Sequence, residues 1–189
     1  SLNLINHTNK GVFIDGSDKK VFLLKSILSF FYPFKKIAVT KKFITKDNIN
    51  EIVSSHFSKN EEIDFFSIDL DGNDYYVLEA LNFKPKIICI EYNFWFGPEI
   101  KCSIPYDENF KWKMGSLYSG ASLNALVSLA KKKGYHLVAL ETNCVNAFFV
   151  RSDFKDKFQI LDQNENYRIP DRFNKDQVKN TTSELLKEK

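Results

Sequence analysis

No apolar run in this 189-residue chain approaches the roughly 20 residues a bilayer-crossing helix needs, and no charged-then-apolar leader is present. The sequence therefore predicts no membrane span. Cysteine is scarce: Cys89, Cys102 and Cys144 are odd in number, far apart and without a CxxC pair. Cys89 falls inside an apolar run and reads as core, and reduced thiols fit a cytoplasmic protein best. His7, His56 and His136 lie far apart in pattern, which excludes a zinc-ligand spacing. His136 falls in a strand-like run and reads as an ordinary side chain. An excess of one charge is also missing. The 27 basic residues nearly balance the 24 acidic ones, the lysines are scattered, and nothing argues for nucleic acid. The tail from Ser152 onward shows no repeat or low-complexity tract. The length suits one domain with a real core, and 43% apolar with 27% charged residues suits a globular protein.

What the sequence does have is concentrated in EEIDFFSIDLDGNDYYVLEALN, residues 61 to 82. A short apolar run (Ile63, Phe65, Phe66, Ile68) stops at Asp69, Asp71, Gly72, Asn73 and Asp74, and an amphipathic segment follows. Strand, acidic turn, helix is how open α/β sheets place chemistry at the carboxyl ends of their strands. Carboxylates one residue apart at such a tip are costly unless a cation, a ligand hydroxyl or backbone amides answer them.

On both sides of this stretch the pattern alternates. Residues 2 to 9 read as the end of a helix, and GVFIDGS as a short strand closed by Asp15, Gly16 and Ser17. Residues 18 to 32 carry Val21, Phe22, Leu24, Ile27, Leu28 and Phe31 at helical spacing, and Pro33 ends the run. Residues 37 to 44 form another extended piece. Asn48 followed by Glu51 has the form of a capping box opening a helix to about residue 57. A helix over residues 74 to 82 leads, past Pro85, to the apolar run 87 to 90, which ends in Glu91, Tyr92 and Asn93.

Residues 94 to 118 hold no period but are rich in aromatics, so they read as a lid or substrate-side loop, not as disorder. Ser119 is placed to cap the next helix, with Leu123, Leu126, Val127 and Ala130 on one face. Lys131, Lys132 and Lys133 complement its carboxyl end, and Gly134 stops it. YHLVALE and VNAFFVR are separated only by Thr142, Asn143 and Cys144, too little for a crossover helix, so they must pair as an antiparallel hairpin. The polar tail from Ser152 onward reads as loosely packed or frayed.

Four strand ends thus carry polar groups: Asp15 with Gly16 and Ser17, Asp47 with Asn48, Asp69 through 74, and Glu91 with Asn93. In a parallel sheet they line one crevice. An acid at the end of the second strand of a Rossmann-like sheet accepts hydrogen bonds from ribose hydroxyls, the reading given to Asp15. In IDGS it also serves as an ordinary turn residue. The Asp47–Asn48 pair stands where it could reach an adenine, or act only as a helix cap.

IDLDGNDYY (68 to 76), EYNFWFGPE (91 to 99), GASLNALVSLAKKKGYHLV (120 to 138) and VNAFFVR (145 to 151) resemble S-adenosylmethionine-dependent methyltransferases of the FkbM-like type. The likeness covers roughly residues 2 to 151. It implies a class I methyltransferase fold: a Rossmann-like α/β sheet, mostly parallel, ending in an antiparallel hairpin, with helices on both faces. It further implies a methyltransferase-like domain over residues 1 to 151 with a polar extension over 152 to 189. The implied activity is methyl transfer to a hydroxyl of a small molecule or sugar, in surface-polysaccharide or natural-product biosynthesis. Such proteins begin with a strand and a glycine-rich turn that cradle the cofactor, and no GxGxG precedes Asp15. Either Ser1 lies inside a longer natural protein, or this copy lacks that turn.

On this reading Asp15, Gly16, Ser17, Asp47, Asn48 and Asp69 bind the cofactor. Asp69, Asp71, Asn73, Glu91 and Asn93 form the catalytic set, and Tyr92, Trp95 and Phe96 wall the acceptor pocket. Two mechanisms stay open. Asp69 or Asp71 acts directly as general base, or Asp69, Asp71 and Glu91 hold Mg²⁺ or a similar hard ion that acidifies the hydroxyl. IDLDGN also resembles the first motif of haloacid-dehalogenase-type phosphatases, although Asn73 stands where that motif wants Thr or Val. The same residues are compatible with a metal-dependent Asp-x-Asp glycosyltransferase site or with a non-catalytic interaction module.

Overall fold

The computed structural model describes residues 2–8, 10–171 and 173–186. In chain order the elements are α1 (Leu2–His7), β1 (Lys10–Asp15), α2 (Asp18–Phe31), β2 (Lys36–Lys41), α3 (Ile49–His56), β3 (Phe65–Ile68) and α4 (Asp74–Ala80). There follow β4 (Ile87–Glu91), α5 (Leu123–Lys132), β5 (Tyr135–Leu140), β6 (Asn146–Arg151), α6 (Gln163–Asn166) and α7 (Lys175–Leu185). The chain is a mixed α/β protein. Asn9, at the end of the expected first helix, and Ser1 lie outside the described residues, as do Arg172 and residues 187 to 189 of the tail.

The strands form two sheets where the sequence predicted one. β1 and β2 pair in parallel as a two-stranded sheet, and the other four run in the order β3-β4-β6-β5. Within the larger sheet β3 and β4 are parallel, while β6 runs antiparallel to both β4 and β5. The β5–β6 hairpin predicted from its three-residue gap is present, turning through Cys144 at φ 58°. The main core (Ile68, Leu78, Ile90, Leu126 and Phe149 among others) gathers between the four-stranded sheet and helices α3, α4 and α5.

Local signals place the helix starts, with two corrections. Ser17 caps α2 through its hydroxyl. The cap of α5 is Ser122, not Ser119: its oxygen accepts the Ala125 and Cys102 amides, each at 3.1 Å. The Asn48–Glu51 capping box does not form, because the Asn48 side chain turns back to bond Thr45 N and the Phe43 carbonyl, both at 2.9 Å. The tail is not frayed over its described residues. Tyr167 OH donates to the Phe94 carbonyl and Thr182 Oγ1 to the Trp95 carbonyl. Val178 and Leu185 are buried beside them. A polar helix anchored by three or four side chains carries too weak a periodic signal to be read from sequence.

Candidate functional site

The parallel strands β3 and β4 end side by side, so the residues just past them share a rim. One carboxylate oxygen from each of Asp69, Asp71 and Glu91 lies within 4.8 Å of the others, with both aspartates exposed and Glu91 half-buried. Asp15, at the end of β1, belongs to the same electrostatic neighbourhood. Burial and the Asp69 charge push the Asp71 carboxyl above the usual carboxylate range; Lys20 opposes this and Asp15 adds to it. Glu91 is pushed up to about 8, first by burial, then by Asp69, Asp74 and Asp71. Three acids this close cannot all ionise cheaply without a counter-ion, so the cluster as a unit holds a proton more readily than separate carboxyls would.

The turn that builds the rim depends on Asp74, which the sequence pattern did not mark as part of the site. Its carboxylate accepts Leu70 N at 2.8 Å and Gly72 N at 3.0 Å, and it is 1% exposed. Burial raises its pKa to about 6, against the backbone bonds that favour the charge. With the chain tied back in this way, Asp71 adopts φ 59°, a left-handed conformation that Asp tolerates better than most residues. The sequence signal was present, since an acid opening a helix is a known turn-closing group.

The long aromatic segment lies across this turn. A Cβ on Gly72 would come within 2.3 Å of the Phe110 ring, so only glycine lets the ring sit there. Asn73 Nδ2 donates to the Asp107 carbonyl at 2.7 Å, and Tyr76 OH to the Ile104 carbonyl at 2.9 Å. Farther on, Lys46 lies 4.3 Å over the Tyr106 ring, joining the segment to the loop after β2.

Several predicted site residues have other employment. Asn73 is buried and both its amide atoms engage Asp107. Asn93 is likewise buried, donating to Leu117 and Ser119 carbonyls and accepting Trp95 N. Both fasten the long segment. Phe96 is 0% exposed and Tyr92 3%, so neither walls an open pocket. Trp95 packs edge-on to Phe173 at 4.6 Å, beneath the C-terminal segment.

The proposed cofactor residues fit in part. Asp15 Oδ1 accepts Ser17 N at 2.7 Å and Oδ2 lies 3.5 Å from Lys20, which leaves acceptor capacity for a ligand hydroxyl. Ser17 is committed to its cap, and Gly16 lies under the Phe43 ring, 2.9 Å from where a Cβ would stand. Asn48 is held by Thr45 and Phe43 through one amide hydrogen and its oxygen, and Asp47 is exposed. Asp69, Asp71 and Glu91 form an all-oxygen donor set suited to a hard divalent cation. One concavity of 290 Å³, lined by Leu81, Phe83, Lys133 and Tyr135, lies away from the rim at the amino ends of β4 and β5; another of 260 Å³ lies between α2, β1 and β2 and has Asp15 and Lys20 in its lining. No family model, curated protein or solved structure matches the chain.

Proposed function

We propose that the chain is an S-adenosylmethionine-dependent methyltransferase acting on a hydroxyl of a small molecule or sugar. The observation that carries this reading is the meeting of Asp69, Asp71 and Glu91 from two neighbouring strands at the carboxyl-end rim, within the electrostatic reach of Asp15. When bound, S-adenosylmethionine supplies an electrophilic methyl group. Asp15 would accept hydrogen bonds from its ribose hydroxyls.

The chain's remaining work is to position the acceptor hydroxyl and receive its proton. Exposed Asp69 and Asp71 orient the hydroxyl by accepting hydrogen bonds. A general base works best with a pKa near the operating pH, and the cluster as a unit sits in that range because Glu91 is raised. Where Asp69, Asp71 and Glu91 hold a divalent cation, the same cluster ionises fully and the cation acidifies the hydroxyl instead.

Excess S-adenosylhomocysteine should raise the melting temperature of the chain, and Asp15→Asn should reduce that shift; no shift for either protein removes the reading. Undiminished activity in excess chelator would exclude the cation version. One observation favours a second reading: Asp71, the acid of the phosphatase motif, has a raised proton affinity. Hydrolysis of a generic phosphate ester that disappears in Asp69→Asn would select it.

A further inference from the structure

The outward side of α2 is apolar. The helix lies against β1 and β2, with Val21 and Leu28 buried and Leu24 and Ile27 half-buried. At 3.6 residues per turn, Phe22, Leu23, Ser26 and Phe30 fall on the opposite side, away from the strands. Phe22, Leu23, Phe30 and Phe31 are all at least 60% exposed, and Phe34, in the turn after the helix, is 98% exposed. The Phe30 and Phe31 rings stand edge-on at 4.9 Å, so the apolar surface is continuous there. Scattered exposed apolar residues are ordinary, but five of them between residues 22 and 34 form a contact surface.

The polar groups on this side are answered within the helix. Ser26 Oγ donates to the Phe22 carbonyl and Ser29 Oγ to the Ser26 carbonyl, each at 3.0 Å, so covering the surface strands no hydroxyl proton. The charges around it are of one sign. Lys19 and Lys25 border it on the helix and Lys36 follows Phe34; all three are exposed and make no ion pair among the described residues. Asp18, the one acid between residues 18 and 36, is paired with Lys41 at 2.7 Å.

We propose that the outward side of α2 is a docking surface for a membrane carrying anionic phospholipids. At 14 residues the helix is too short to cross a bilayer, and it lies in the plane of the interface. Its phenylalanines and Leu23 enter the headgroup region, while Lys19, Lys25 and Lys36 lay their stems over the apolar surface and bring their ammonium groups to lipid phosphates. The negative surface potential of such a membrane draws the lysines and orients the chain. A second copy of the chain fits this surface less well. Pairing it with itself across a two-fold axis sets lysine against lysine with no free acid to answer them. The inference rests on the exposure and charge of α2 and is independent of methyl transfer.

Co-sedimentation of the 189-residue chain with vesicles tests it. Phosphatidylcholine vesicles with about one third phosphatidylserine should carry the chain down, and phosphatidylcholine alone should bind it about tenfold more weakly. Phe22→Ser, Phe30→Ser and Phe34→Ser together should weaken binding to the mixed vesicles about tenfold or more. Lys19→Glu with Lys25→Glu should remove the preference for phosphatidylserine. These side chains are exposed, so both variants should melt close to the parent chain, and Phe34→Ser alone serves if the triple variant does not fold. Phe34→Trp adds a fluorophore to the surface; brominated phospholipid should quench it and leave the emission of the unsubstituted chain nearly unchanged. Sedimentation with neither vesicle, binding unchanged by the phenylalanine substitutions, or an unquenched Phe34→Trp overturns the proposal. So does a concentration-dependent dimer that the same substitutions abolish and that sediments with neither vesicle, which would give the surface to a second copy.

Discussion

Gly72 and Phe110 are a matched pair. The glycine has no side chain where the ring lies, and a methyl group there would be 2.3 Å from an aromatic carbon. Gly72→Ala should therefore displace Phe110 and destabilise the chain by about 1–3 kcal/mol, as overpacking does elsewhere. Combined with Phe110→Ala the cost should be clearly less than the sum, because the clash is removed with the ring. Denaturant unfolding of the two single variants and the double variant measures this. Additive costs would mean that the ring and the turn act independently.

Glu91 makes a pH prediction at the same scale. Its carboxyl is raised from an ordinary 4.5 to about 8, and that of Asp74 from 3.8 to about 6. The folded chain thus binds more protons than the unfolded one between about pH 4 and pH 8, and its stability must fall as pH rises through that window. The lowered carboxyls of Glu61, Glu62 and Asp153 act below the window and do not mask the effect. The melting temperature should be higher at pH 5 than at pH 8, and Glu91→Gln should narrow the difference. A stability that climbs across this range would contradict the assignment. Mg²⁺, if held, should stabilise more at pH 8 than at pH 5.

Among the elements, the C-terminal segment reads least like what it is. Its composition is polar, and among the described residues of α7 only Val178, Thr182 and Leu185 are buried, yet these cover Trp95 and Phe96. Ending the chain after Tyr167 should lower the melting temperature and increase binding of a hydrophobic dye, because that aromatic turn loses its cover. A truncated chain as stable as the full one would show that α7 is dispensable. The long segment is the opposite case. Its aromatics marked it as ordered, but its anchors could not be read, because Asn73 and Asn93 bond to carbonyls that become neighbours only in the fold. Amide side chains beside carboxylates invite a catalytic reading, and here both are 8% exposed and bonded to the long segment.

For the whole molecule, local features were legible and non-local pairing was not. A three-residue gap left the β5–β6 strands no choice but a hairpin. Abrupt polar ends on apolar runs located the tips that carry Asp15, Asp69, Asp71 and Glu91. Which edges meet is settled between strands distant in sequence, so the division into two sheets was invisible. The helix caps show the same limit: Ser119 and Ser122 are equivalent as residues, and only the docking of Cys102 on Ser122 separates them.

The account stands on acids from separate strands sharing one electrostatic site. The direct test is to follow the ¹³C resonance of the Glu91 carboxyl through a pH titration, in the wild-type chain and in Asp69→Asn. The account predicts a wild-type midpoint far above the ordinary 4.5, near 8, that drops when Asp69 is neutralised. An ordinary midpoint in both proteins would mean that the carboxylates do not meet, and the proposed site would fall with them.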